Sequence, residues 1–259
     1  ADAADGTSLR LRLAWLPASG LDFVLRLDGL AWMFCALISG MGLPRGDDGR
    51  IPPASPLCRP SRSMTETRKP KTRVAVLISG SGSNMASLIA AGQAADAPYE
   101  VVVVVSNIAD VAGLEKARVA GVEALTVEHK AFGKDREAHE RAIHALLVEH
   151  QVEVIALAGY MRLLTPWLVQ KWAGRMLNIH PSLLPLYPGL NTHARAIEAG
   201  DAEAGCTVHV VTEGVDEGPV LGQARVPILA SDTAETLAER VKTAEHVLYP
   251  QTLAAFVAR

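Results

Sequence analysis

From residue 72 onward, continuous apolar runs alternate with segments of helical spacing, and this alternation constrains the fold more than any other feature of the chain. Residues 73–78 (RVAVLI) have no polar interruption after the first, as a strand buried on both faces requires. Residues 84–91 have helical spacing, 100–105 (EVVVVV) form a second run, and a helix over 112–120 and a strand over 123–127 follow. Residues 134–150 read as a longer amphipathic helix with Ala142, Ile143, Leu146 and Leu147 on one face, and 152–157 as another buried strand. The order β-α-β-α-β predicts an α/β fold: a doubly wound, mainly parallel sheet with right-handed crossovers, Rossmann-like in its N-terminal half.

The pattern changes after residue 175. A strand over 175–179 leads into a Pro-rich loop and a helix over 192–199, and 207–211 and 220–227 read as an antiparallel pair across a turn at 213–219. A long terminal helix over 233–258 closes the chain, with Ser231 or Asp232 as its cap and Glu235 placed for a capping box. No internal repeat is present.

Residues 1–71 are of another kind. Residues 1–63 contain no Lys, Glu, Gln, Asn, His or Tyr, and Arg and Asp supply every charge there. Without a persistent amphipathic period the segment is expected to be irregular beyond a helical turn or two near 29–39. Met64 opens a polar lead-in to the first strand, so Met64 is expected to be the native start and 72–259 the functional domain. The missing residue types mostly share adenine-containing codons, as GC-rich DNA read in an unselected frame would produce.

A formal net charge of -3 and the lack of a Lys/Arg block argue against nucleic acid as a partner. The longest apolar run, 29–43, is shorter than the ~20 residues of a membrane helix, which argues against a membrane partner. Cys35, Cys58 and Cys206 have no C-x-x-C spacing, so neither a disulfide framework nor a zinc site is expected, and a cytoplasmic location is. Small molecules remain as ligands.

Two segments carry chemistry. The first is Ser79-Gly80-Ser81-Gly82-Ser83-Asn84, between the first strand and its helix. Glycines let the backbone turn sharply and approach a ligand, while free N–H groups at the helix start attract an anion. Met85 stands where a dinucleotide fingerprint would need glycine, and no Gly-Lys-Ser/Thr follows, so the loop suits a monophosphate. The competing reading is a plain turn capped by Ser83 or Asn84.

The second is Asn178-Ile179-His180-Pro181-Ser182-Leu183-Leu184-Pro185. Asn178 and His180 are two apart on a strand, so both side chains leave the same face. An amide donor and an imidazole on one face suit a reaction that develops an oxyanion. One such donor is worth ~10²–10³ in rate and a positioned acid or base ~10²–10⁴. A carboxylate beside His180 would favour its imidazolium form. Spacing alone does not choose among Glu213, Asp216 and Glu217 in the late turn.

With these segments in view, residues 73–259 resemble the glycinamide ribonucleotide formyltransferases, a folate-dependent family of purine synthesis. The resemblance is carried by ISGSGSN at 78–84, AGYMRLLTP at 158–166, NIHPSLLP at 178–185, YPGLNTH at 187–193 and VDEGPV at 215–220. It implies the formyltransferase fold, and that Gly82, Ser83 and Asn84 hold a substrate phosphate while Glu245 contacts the ribose or glycinamide end. Met161, Arg162, Leu163 and Leu164 are implied to face the folate, with Arg136 near its tail. Thr212, Glu213, Gly214, Val215 and Asp216 are implied to wrap the pteridine. Asn178, His180 and Asp216 match the catalytic trio, with Asn178 also touching the formyl-folate. The stretch 132–136 is one residue longer than the family's usual spacing before that arginine, and nothing in the family corresponds to residues 1–63.

The implied reaction is direct transfer of the formyl group of 10-formyltetrahydrofolate, as co-substrate, to the substrate amine through a tetrahedral oxyanion. No metal and no covalent enzyme intermediate are called for, and a monomer or a homodimer is expected. Three rivals differ by observable features. A formyltetrahydrofolate hydrolase would carry an amino-terminal regulatory domain and have no use for the phosphate loop. A transfer-RNA formyltransferase would carry a basic carboxy-terminal domain. A non-catalytic phosphosugar-binding module would leave Asn178, His180 and Asp216 unexplained.

Overall fold

The computed structural model describes residues 70–259 and the backbone of 9–16 and 21–27. The chain divides into two units, Ala1–Thr65 and Glu66–Arg259, beside the composition break. In the first unit, β1 (Leu9–Leu16) and β2 (Leu21–Leu27) pair antiparallel, with Leu9 opposite Leu27 and Leu13 opposite Phe23. This stretch is therefore not irregular as expected. The alternation Leu9-Arg10-Leu11-Arg12-Leu13 has the period of two that a strand needs, and a search for helical period passes over it. The helical turns expected near 29–39 lie outside the described residues.

The second unit is built on one sheet. Its strands are β3 (Thr72–Ile78), β4 (Tyr99–Ser106), β5 (Glu123–Thr126), β6 (Val154–Leu157), β7 (Met176–His180), β8 (Glu203–Val210) and β9 (Val220–Pro227). Their order is β5-β4-β3-β6-β7-β8-β9. The first five in that order run parallel, and β8 is antiparallel to both β7 and β9. The doubly wound sheet with an antiparallel C-terminal pair is as expected. The helices are α1 (Ser83–Gly92), α2 (Ala112–Val119), α3 (Arg136–Glu149), α4 (Pro166–Lys171), α5 (Thr192–Glu198) and α6 (Ala234–Val257).

Strand β3 demonstrates why the apolar runs are unbroken. Val74, Val76 and Ile78 pack with Met85 and Leu88 of α1, Ala117 of α2 and Leu237 and Tyr249 of α6. Ala75 and Leu77, pointing the other way, pack with Ile143 and Leu147 of α3, with Leu168 of α4 and with Trp172 just after it. A strand covered on both faces has no position left for a polar side chain. Tyr249 ties α6 to the sheet by donating its buried hydroxyl to the carbonyls of Leu157 and Leu177, each at 3.1 Å. Among the described residues no helix is long and apolar enough to cross a membrane.

Three local expectations are corrected. Helix α6 is capped by Thr233, not by Ser231 or Asp232, and the box partner is Thr236, three residues on, rather than Glu235. Asp232 is engaged elsewhere: it accepts from Arg240 at 2.6 Å and from the Leu229 N–H at 2.8 Å. Strand β8 begins at Glu203, ahead of the expected 207, because seven residues pair with β9. Helix α4 was not expected at all, although Thr165 followed by Pro166 is a helix start, with Pro at a position that needs no N–H.

The chain leaves β3 toward β4 on one side and later returns to place β6 on the other. The connections that leave the carboxyl ends of β3 and β6 therefore run to opposite faces of the sheet, which opens the crevice where doubly wound sheets take their ligands.

Candidate active site

The glycine loop after β3 enters α1 through Gly82, which has φ 66 and serves as N-cap without any side-chain cap. Neither Ser83 nor Asn84 caps the helix, so the plain capped turn is not what forms. A Cβ on Gly82 would lie 2.9 Å from the Cα of Gly113, so the loop and the start of α2 pack backbone to backbone. The Gly113 N–H donates to the Gly80 carbonyl at 3.1 Å, and Lys116 Nζ donates to the Ser81 carbonyl at 2.9 Å. The loop is thus held from outside, leaving the α1 N-terminus able to receive an anion.

In the first turn of α1, Asn84 donates from Nδ2 to Glu245 Oε2 of α6 at 2.7 Å. Both residues are buried, and burial pushes the Glu245 carboxyl above its ordinary value, partly offset by the Asn84 hydrogen bond and the Lys242 charge. Asn84 Oδ1 is buried with no partner among the described residues. An unpaired acceptor beside a carboxyl suits a ligand hydroxyl, and an unmet polar group is costly enough to mark a site.

Asn178 and His180 stand on β7, on the face that also carries Met176. Across the antiparallel pairing Asn178 faces His209 of β8, and Asn178 Nδ2 lies 3.2 Å from His209 Nε2. His180 Nδ1 lies 3.3 Å from Asp216 Oδ2, with both side chains nearly enclosed at 7% and 11% exposure. Asp216 Oδ1 is 3.6 Å from His209 Nε2, so this carboxylate stands between two imidazoles. His180 Nε2 donates to the Tyr187 carbonyl at 3.0 Å, and His209 Nδ1 donates to the Val210 carbonyl at 3.0 Å.

Asp216 itself has φ 57 and accepts the Gly189 N–H at 3.0 Å. Burial alone would raise its carboxyl. The His209 hydrogen bond, the Gly189 N–H and the charges of both histidines outweigh burial and hold it below the usual range. The three expected residues are therefore brought together, and His209 joins them. Sequence reasoning missed His209 because only the β7–β8 register puts it opposite Asn178. Its sole signal was a lone histidine inside a predicted strand.

The segments implied to face folate lie around this cluster. Met161 and Leu163 are exposed at 72% and 61%, and Val215 is half exposed. Gln170 of α4 donates to Glu213 at 2.9 Å, which joins the 161–165 loop and its helix to the late turn carrying Thr212 and Gly214. Glu140, buried in α3, accepts from the Thr165 N–H at 2.7 Å and from its hydroxyl, and so fixes the far end of that loop. Burial raises the Glu140 carboxyl, while the Thr165 bonds and the charge of Arg162 pull it down. Arg136 is the exposed first residue of α3, and its side chain makes no hydrogen bond or ion pair among the described residues.

A glycine-built helix start at one strand end and an amide–imidazole–carboxylate cluster two strands away belong to a domain of the doubly wound α/β class. Residues 72–253 match the family model described as formyl transferase, and the chain belongs to that family. The phosphoribosylglycinamide formyltransferase of Escherichia coli K12 is 46% identical over 183 residues, covering 71% of this chain and 86% of that protein. A trifunctional purine biosynthetic protein adenosine-3 from Chironomus tentans is 49% identical over 186 residues. That match covers 71% of this chain, which spans 14% of that relative's length. The crystal structure of the phosphoribosylglycinamide formyltransferase from Brucella melitensis superposes with a TM-score of 0.70 at 54% identity, covering 73% of this chain and 97% of that one.

Proposed function

We propose that this chain transfers the formyl group of 10-formyltetrahydrofolate to the amine of glycinamide ribonucleotide, a step of purine biosynthesis. The observation that carries the reading is the enclosed contact of His180 with Asp216, 3.3 Å apart, beside Asn178 on the same strand face. The co-substrate supplies an activated one-carbon unit, and the protein supplies position and charge.

Asn178 has two amide hydrogens. One of them is available to the formyl oxygen as negative charge develops there. His180 offers Nε2–H, now donated to the Tyr187 carbonyl, and the formyl oxygen takes over that hydrogen bond during transfer. Asp216 holds the ring and compensates its positive charge. The proton lost by the attacking amine leaves through water toward the same carboxylate; the tetrahedral intermediate then collapses, its bond to the folate nitrogen breaks, and that nitrogen takes up a proton as tetrahydrofolate departs. Gly82, Ser83 and Asn84 hold the phosphate, and Asn84 with Glu245 takes the ribose or glycinamide end. Met161, Arg162, Leu163 and Leu164 together with Thr212, Glu213, Gly214, Val215 and Asp216 receive the folate, and Arg136 its tail. This reading carries with it a cytoplasmic location and a monomeric or homodimeric state.

The test is formyl transfer from 10-formyltetrahydrofolate with and without glycinamide ribonucleotide, following both products. Tetrahydrofolate should appear only with the amine, in equal amount to the formylated nucleotide. Release at the same rate without the amine would make the protein a hydrolase and sink the proposal.

A further inference from the structure

Ser79, the residue between β3 and the glycine loop, has no role in either substrate site as described above, yet it leads directly into the one and is hydrogen-bonded to the backbone of the other. It is 8% exposed, and its hydroxyl donates to Asn107 Oδ1 at 2.6 Å. The same oxygen accepts the Met161 N–H at 2.8 Å, and the Ser79 N–H donates to the Gly159 carbonyl at 3.2 Å. Asn107 is 2% exposed and is anchored in turn, since His129 Nδ1 donates to its carbonyl at 2.8 Å. One hydroxyl therefore joins the ends of β3, β4 and β6, and its acceptor side points at the first residue of the 161–164 stretch.

We infer that Ser79 is a positioning residue that sets the folate-facing backbone at Met161 from the root of the phosphate loop, holding the two substrate sites in register. The inference rests on the proposed folate role of residues 161–164. The geometry makes its effect one-sided. The phosphate loop has its own braces, Gly113 packed on Gly82 and Lys116 on the Ser81 carbonyl, and keeps them without the hydroxyl. On the other side the Met161 N–H has the Ser79 hydroxyl as its partner, and the far end of the loop is held separately by Glu140. Removing the hydroxyl frees one end of the folate loop and leaves the phosphate loop braced.

Full-length Ser79→Ala and Ser79→Thr proteins would be compared with the wild type. The readouts are tetrahydrofolate affinity by titration calorimetry, KM for each substrate, kcat, and the thermal unfolding midpoint. Ser79→Ala should weaken tetrahydrofolate binding and raise the KM for 10-formyltetrahydrofolate by about tenfold, the size of one lost hydrogen bond. The KM for glycinamide ribonucleotide should stay within about twofold, and Ser79→Thr, which keeps the hydroxyl, should restore folate affinity. A general structural role would shift both KM values together, and that result, or unchanged folate affinity in the folded variant, overturns the inference. If Ser79→Ala does not fold, Asn107→Ala, which unpins the same hydroxyl, is read against the same outcomes. A wild-type protein that fails to bind tetrahydrofolate would instead remove the formyl-folate reading, and this inference with it.

Discussion

Replacing Asp216 with asparagine isolates the charge at the centre of the site. Asparagine keeps the size, tolerates the left-handed backbone at φ 57, and retains an oxygen for the Gly189 N–H. What it loses is the negative charge 3.3 Å from His180 Nδ1. At an effective dielectric of about 20, two unit charges at that separation attract by about 5 kcal/mol. Desolvating an enclosed pair takes back a large part of this, leaving roughly 2–4 kcal/mol. If that energy is realised when His180 carries its charge in the transition state, kcat/KM should fall roughly 30- to 1000-fold.

Steady-state formyl transfer measures this directly, with circular dichroism to establish that the variant is folded. His180→Ala and the double variant complete the cycle. Residues acting as one unit should give a double variant little worse than either single one. A second readout follows from the depressed Asp216 carboxyl. A group whose folded value lies below its unfolded one stabilises the fold at pH above the unfolded value, ordinarily 3.8. That contribution is lost as pH falls through the lower folded value. Asp216→Asn should therefore flatten the acid limb of the unfolding midpoint below about pH 4 relative to wild type. An Asp216→Asn enzyme within about threefold of wild-type kcat/KM would refute the argument that the His180–Asp216 contact carries the reaction.

Glu245 has the opposite sign. Its carboxyl is raised, so the folded state holds the proton more tightly than the unfolded chain, and stability falls as pH rises from 4.5 through the raised value. Glu245→Gln should remove that fall and raise the unfolding midpoint at pH 7.5 by about 2–4 °C, while increasing the KM for glycinamide ribonucleotide; a lower midpoint contradicts the assignment. Gly82→Ala places a methyl 2.9 Å from the Gly113 backbone at φ 66. It should raise the KM for the phosphorylated substrate at least about tenfold while tetrahydrofolate affinity is kept, and equal losses at both sites would argue against a separate phosphate cradle.

What was legible in the sequence was whatever depends on period and local chemistry. The apolar runs at 73–78 and 100–105 could only be strands with helices on both faces, and the Asn178–His180 spacing of two already implied a shared face. Gly82 marked the strand-to-helix turn, where it stands as N-cap with φ 66. What depends on pairing between distant segments was not legible. His209 reaches Asn178 only through the antiparallel register of β7 and β8, and Ser79 reaches Met161 only because β3 and β6 are neighbours. The choice of Asp216 over Glu213 and Glu217 came from resemblance alone. The structure supplies the physical reason: of these three, Asp216 is the one in contact with His180 and His209, while Glu213 is drawn away to Gln170.

The division of labour along β7 follows from strand parity. Leu177 and Ile179 face α6 and belong to the core, whereas Met176, Asn178 and His180 stand on the opposite face. There Met176 packs with Leu168 of the six-residue α4 and with Trp172. The next two positions, Asn178 and His180, are left to the late turn. That turn can return over them because β8 runs antiparallel and delivers residues 211–219 beside β7 without a crossover helix. A slip of one residue in β7 would exchange the two sets, burying an amide and an imidazole under α6 and presenting two aliphatic side chains to Asp216. The packing of Leu177 and Ile179 therefore fixes the face that Asn178 and His180 occupy.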